Sequence, residues 1–306
     1  MQPTPEGTFS RRAVLLGAAG LAGTGLLAAC GSKSSTSSSA TDIGLVPADG
    51  TSALQAIFDA ANPFIVTGSP QRMAFGITGP DGATILDVPA SLEFRMSRNG
   101  QAVGAPLTVA GHRDGVPIGY FPVRTTFDST GEYQVAVTLD GKVSTQTVNV
   151  GDGATSTLVP RGGQMKPVET PTVADHRGVE PICTRPSGTC PFHTQTVTQA
   201  LAANKPTVLL VSTPEFCQIG VCGPVLDLMI EAAPRYPGVQ FIHAEVYANA
   251  EAVKDAGQAK LAPVIDAYGL TYEPALYVAN ASGLVLERLD NVFDRGELND
   301  ALKTVA

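Results

Sequence analysis

Four cysteines in the second half of the chain, Cys183, Cys190, Cys217 and Cys222, are the residues best suited to chemistry. A thiol pair can close a stapling disulfide, exchange a disulfide with a partner, or hold a soft metal ion. Four residues separate Cys217 from Cys222, and Gly223-Pro224 follows. If 217–222 were all helix, five steps of about 100° would leave the sulfurs about 140° apart, too divergent to bond. A loop is therefore expected from Cys217 to Val221, with a helix starting around Gly223, because proline lacks an N–H and is best tolerated in a first turn. Cys222 then falls near the N-cap, where the positive end of the helix dipole stabilises a thiolate. Glu215 and Glu273 both stand to approach these sulfurs, and a neighbouring carboxylate raises a thiol pKa.

The other pair is closer in sequence. Cys183-Thr-Arg-Pro-Ser-Gly-Thr-Cys190 needs only a turn at Pro186 to Gly188 to form a local structural disulfide. The alternative is a Cys/His metal pair with His193, although C-x2-H alone does not specify a metal site. His243 lies in an apolar stretch and reads as a satisfied core histidine. The competing reading makes it a copper ligand with Cys217 and Cys222, since soft sulfur suits Cu(I). His112, beside Arg113 and Asp114 between glycines, reads as a solvated loop residue. No cofactor is expected.

The N-terminus determines the compartment. Ser10-Arg11-Arg12 precedes an apolar, small-residue run from Ala13 to Ala29, the layout of an export signal. That run is 17 residues, too short and glycine-rich for a permanent membrane span. The paired arginines resemble a twin-arginine signal. Leu27-Ala28-Ala29-Cys30 resembles a bacterial lipobox, which implies lipidation of Cys30 and a serine-rich tether over 30–44. The expected location is the cell membrane, lipid-anchored on the extracytoplasmic face. Five cysteines less Cys30 leaves an even four, as expected of paired thiols in an oxidising compartment.

The chain has 306 residues, about two domains' worth, with 43% hydrophobic and 16% charged residues, which excludes a long disordered polymer. A net charge of −8 offers nucleic acid no attractive surface. Over 45–150, strands are expected at Arg72 to Thr78, Leu92 to Ser97, Tyr120 to Phe127, Tyr133 to Leu139 and Val143 to Val150, with a hairpin turn at Asp140-Gly141. This spacing predicts an all-β sandwich, and Asp128 to Tyr133 resembles the tyrosine corner of immunoglobulin-like domains. Residues 151–192 read as a linker or strap. From 193 to 306 the elements alternate. The pattern predicts helices at Thr196 to Ala203, Pro224 to Ala233, Ala250 to Tyr268 and from Asp294 to Thr304. It predicts strands at Thr207 to Ser212, Val239 to Val246, Ala275 to Ala279 and Leu284 to Leu289.

Thr207-Val-Leu-Leu-Val-Ser-Thr-Pro-Glu-Phe-Cys217, then Pro224-Val225-Leu226-Asp227, then Glu273-Pro274-Ala275-Leu276-Tyr277 resembles a thioredoxin fold over roughly Thr196 to Val305. The longer motif through Val221-Cys222-Gly223-Pro224 also resembles exported actinobacterial proteins that pair a β-rich domain with a thioredoxin-like one. The resemblance implies an α/β domain in which Cys217 takes the outer, nucleophilic position and Pro274 is a cis proline facing it. The sequence departs from the family in its C-x4-C spacing, in Val211 where a buried acid is usual, and in His243 where lysine is common. These departures point to a stable disulfide or slow exchanger.

The expected function is thiol–disulfide exchange with an exported protein partner, with Cys217, Cys222 and Pro274 as the site. Two alternatives stand beside it: a non-enzymatic envelope scaffold whose cysteines are structural, and a copper-handling protein.

Overall fold

The computed structural model describes residues 50–60, 64–254 and 259–306. The expected export signal with Arg11 and Arg12, the expected lipidation site Cys30 and the expected serine tether lie outside the described residues.

The first part of the described chain is two antiparallel-dominated sheets. Strands β1 (Ala53–Ala56), β3 (Gln71–Thr78) and β6 (Phe121–Thr125) form one, in the order β1-β3-β6. The other runs β2-β8-β7-β4-β5, from β2 (Ile65–Val66), β4 (Ser91–Arg98), β5 (Gln101–Ala110), β7 (Gly131–Leu139) and β8 (Lys142–Gly151). Alternate residues from both sheets, including Phe75, Phe94, Phe121, Val135 and Val148, meet in one apolar cluster. The β7–β8 hairpin turns on Asp140 and Gly141, both at positive φ (49° and 77°), the geometry that lets a two-residue loop follow strand twist. Tyr133 donates its hydroxyl to the Ser129 carbonyl at 2.9 Å, the bond a tyrosine corner requires. Strand β5 escapes the sequence pattern because it is an edge strand, largely exposed, and carries Gly104 and Pro106 that read as loop.

The second part holds a four-stranded sheet in the order β10-β9-β11-β12, from β9 (Thr207–Val211), β10 (Gln240–Ala244), β11 (Ala275–Ala279) and β12 (Val285–Asp290). Strands β9 and β10 are parallel, whereas β11 is antiparallel to both β9 and β12. The helices are α1 (Val197–Ala202), α2 (Cys222–Ala232), α3 (Pro263–Tyr268) and α4 (Arg295–Lys303). Strands β9 and β11 are buried on both faces, so they read as continuous apolar runs without alternation. Thr196 and Gln199 form a reciprocal capping box at α1, and Asp294 accepts the Glu297 N–H to start α4.

The long helix expected at Ala250 to Tyr268 is not formed. A short 3-10 turn occupies Ala250–Lys254, and α3 begins only at Pro263, whose ring would clash with a preceding helical turn. Residues after Gly151 are tied down rather than free. Gly162 and Met165 donate to Val285 and Gly283, and the buried Val159, Met165 and Val168 join the apolar cluster beneath β9 and β11.

Strand β3 is the wall shared by both parts. Met73, Phe75 and Ile77 face the sandwich core, while Ala74 belongs to the apolar cluster around α2 and α4. Arg72, also buried, bonds both carboxylate oxygens of Glu297 (2.8 and 2.5 Å) and the carbonyls of Asp290 and Val292. Tyr120 donates to Glu297 at 2.7 Å and accepts from the Asp294 N–H at 2.8 Å. His112, read from sequence as a solvated loop residue, instead lies 3.1 Å from Asp294 because β6 and its preceding bridge bring it against the start of α4. The described residues form one compact unit.

Removing one member of this network leaves a charge buried without its partner. Arg72→Met is expected to lower unfolding stability by about 3–5 kcal/mol, with much of the loss recovered in Arg72→Met/Glu297→Leu. Chemical denaturation of the three proteins tests this, and equal losses in the single and double variants would contradict it.

Candidate functional site

Strand β9 ends at Val211, and the chain leaves the sheet through Ser212 and Thr213 into a loop. The Gly220 N–H closes a turn onto the Cys217 carbonyl at 3.2 Å, with Gly220 at φ 66°, a left-handed conformation that favours glycine. Helix α2 then starts at Cys222, one residue earlier than the sequence suggests, with Val221 at the N-cap. Pro224 occupies the third helical position, where an N–H would have no intrahelical partner in any case. The loop brings the Cα atoms of Cys217 and Cys222 to 5.9 Å, and the two sulfurs are bonded.

The two sulfurs are not equivalent. Cys222 is fully buried beneath α2, whereas Cys217 is partly exposed. This separates two considerations that conflict in the sequence: Cys217 is the outer sulfur, and Cys222 occupies the helix N-terminus.

The Glu273–Pro274 peptide is cis. The register of β11 on β9 pairs Ala275 with Val211, so Glu273 reaches over the end of β9. Its Oε2 lies 3.5 Å from Cys222 Sγ and accepts the Thr213 N–H at 2.5 Å. Burial pushes this carboxyl up to about 7; the Thr213 N–H works against that shift and the charge of Glu245 adds to it. In the disulfide a sulfur carries no proton, so a hydrogen bond between these groups needs the proton on Glu273. Glu215, its suggested companion, is exposed, and its N–H donates to Thr184 Oγ1.

Glu245, which the sequence analysis does not single out, is also buried. It accepts from the Thr184 N–H at 2.6 Å and from the Thr184 hydroxyl, and burial raises its pKa. Its only sequence signal is a lone acid just after an apolar strand.

Sheet order, one parallel and two antiparallel strand pairs, the cysteine loop before α2 and the cis proline before β11 all coincide. This part of the chain has a thioredoxin-like fold. No family model matches the sequence, and no curated protein does. Among solved structures, a thioredoxin from Trypanosoma brucei brucei is similar at 21% identity, covering 33% of this chain and 75% of that chain, with a TM-score of 0.23.

Two expectations need correction. Cys183 and Cys190 are free, buried thiols rather than a stapling disulfide. The predicted turn is present, with the Gly188 N–H donating to the Arg185 carbonyl, but it aims the Cys190 N–H at Cys183 Sγ (3.5 Å). His243 does not join Cys217 and Cys222 as a ligand. Its Nε2 is 3.1 Å from the Ser212 carbonyl, and its Nδ1 turns toward Cys190 (3.6 Å) and His193 (3.3 Å).

The Glu273 pKa sets a sign. Because the folded value, about 7, lies above the ordinary 4.5, the stability it contributes is present below pH 4.5 and lost as pH rises through 7. Glu273→Gln keeps the neutral form at every pH. The stability of the variant relative to the parent is expected to grow between pH 4.5 and 7 and to level off above that. Thermal melts across this range check it, and a difference independent of pH would contradict it.

Proposed function

We propose that this protein is a membrane-anchored, extracytoplasmic thiol–disulfide exchange protein, working through Cys217 and Cys222 of its thioredoxin-like part. The observation that carries the reading is the partly exposed Cys217 sulfur bonded to a buried Cys222, which has a carboxyl of near-neutral pKa 3.5 Å away.

In this reading a partner thiolate attacks Cys217 Sγ. The bond between Cys217 and Cys222 breaks as a mixed disulfide forms, and the electron pair leaves on Cys222. Glu273 gives its proton to that departing sulfur, so no bare thiolate remains in a dry site. A second partner thiolate then attacks the partner sulfur of the mixed disulfide and releases Cys217 as thiolate. Two electrons pass from the partner dithiol to the Cys217–Cys222 pair, and the partner leaves as a disulfide. The same steps in reverse reduce a partner disulfide. In the reverse direction Glu273 takes the Cys222 proton back, and the first turn of α2 stabilises the thiolate as it attacks the mixed disulfide.

The export signal and the Cys30 lipidation expected from the sequence support a site outside the cytoplasm, where a resting disulfide is the expected state. The β-rich part, an immunoglobulin-like sandwich by its corner motif, would hold the exchange module at a fixed orientation above the membrane or bind its partner.

Equilibration of the purified chain with graded dithiothreitol tests the reading. A reduction potential above about −300 mV is expected for the Cys217–Cys222 pair. Reduction only well below that potential, or only in denaturant, would make the bond an inert staple and the protein a scaffold.

A further inference from the structure

The thiol cluster that the exchange chemistry leaves unused has a different composition. Cys183, Cys190, His193 and His243 each offer one ligand atom, and the four atoms lie within 4.8 Å of one another. All four residues are buried, with exposures of 7%, 3%, 1% and 0%. Three come from the C-x6-C-x2-H run of the strap, and the fourth comes from edge strand β10. The strap is held against that edge by the His243 N–H, which donates to the Phe192 carbonyl at 3.1 Å. The ligand set is therefore assembled by the fold, not by a local turn alone.

The histidine tautomers follow from their partners. A carbonyl can only accept, so His243 Nε2, 3.1 Å from the Ser212 carbonyl, carries the proton and Nδ1 presents a lone pair to the cluster. That Nδ1 faces His193 Nε2 at 3.3 Å. A proton shared between the two rings would have to sit on His193 Nε2, leaving His193 Nδ1 as an unprotonated acceptor. No hydrogen-bond partner reaches that atom, though it is buried. A cation at the centre takes both lone pairs at once and puts the His193 proton on Nδ1.

We propose that Cys183, Cys190, His193 and His243 form a closed tetrahedral site for zinc(II), which fastens the strap to the β10 edge and keeps two thiols out of exchange. Two cysteine sulfurs and two imidazoles gathered in one buried cluster are the donor set of a structural zinc site. Ser212 supplies the outer contact that orients one imidazole. Unlike the copper reading of the sequence, this site excludes Cys217 and Cys222, which are bonded to each other.

The test is metal analysis of the full chain, produced with both zinc and copper supplied and purified without chelator. Roughly one zinc per chain is expected, and the Cys217→Ser/Cys222→Ser variant should retain it, while Cys183→Ser and His193→Gln should each lose most of it. To keep the test independent of how those variants fold, the unaltered chain is also refilled with cobalt(II) after chelation. Intense tetrahedral visible bands with thiolate-to-cobalt charge transfer are expected. Copper in place of zinc, zinc lost with Cys217 and Cys222, octahedral cobalt spectra, or a Cys183–Cys190 disulfide in the native chain would each overturn the proposal.

Discussion

A carboxyl group held out of water against a sulfur is the constraint on which the rest of this structure turns. Glu273 can occupy that position only because β11 pairs with β9 in one register, with Ala275 opposite Val211, and because the peptide before Pro274 is cis. A shift of one residue would turn Glu273 to the opposite face of the sheet and remove the carboxyl from Cys222. The fully buried β9 and β11 hold that register, since any slip would move an apolar core residue out of its packing.

The polar groups around the sulfurs form a connected line. Thr213 donates its N–H to Glu273 and accepts the Val246 N–H on its hydroxyl. Glu245, one residue before Val246, receives Thr184, which in turn accepts the Glu215 N–H from the cysteine loop. Cys183, next to Thr184, belongs to the second sulfur cluster. The Cys217–Cys222 disulfide and the Cys183–Cys190 cluster thus share a backbone frame while their sulfurs stay separate. Behind them, the buried Arg72–Glu297 pair and Tyr120 fix α4 and the end of β12 to the wall of the sandwich. The sandwich is therefore an integral backing for the α/β sheet.

Much of this was legible in the sequence. The apolar runs of β9 and β11, the Asp294 cap, the Asp140-Gly141 turn and the divergence of a wholly helical C-x4-C segment are local properties of a few residues. Pro274 and the outer position of Cys217 were implied by the resemblance to a thioredoxin fold. What the sequence could not carry depended on distant partners. Edge strand β5 is mostly exposed and carries Gly104 and Pro106, so its half-buried Val103, Leu107 and Val109 do not read as a strand. His112 looks solvated until α4 packs on it. C-x2-H made His193 a candidate partner of Cys190, but nothing in the sequence hinted that His243 would approach the two thiols from β10. Glu273 could be placed near the sulfurs, yet its raised pKa arises from burial, which only the packed structure defines.

The claim that exchange enters at Cys217 and leaves through Cys222 is tested most directly by peptide mapping of the mixed disulfide trapped by acid during reduction of the native chain with glutathione. The account predicts glutathione on Cys217 and a free thiol on Cys222. Glutathione on Cys222, or no adduct unless the chain is first unfolded, would contradict it.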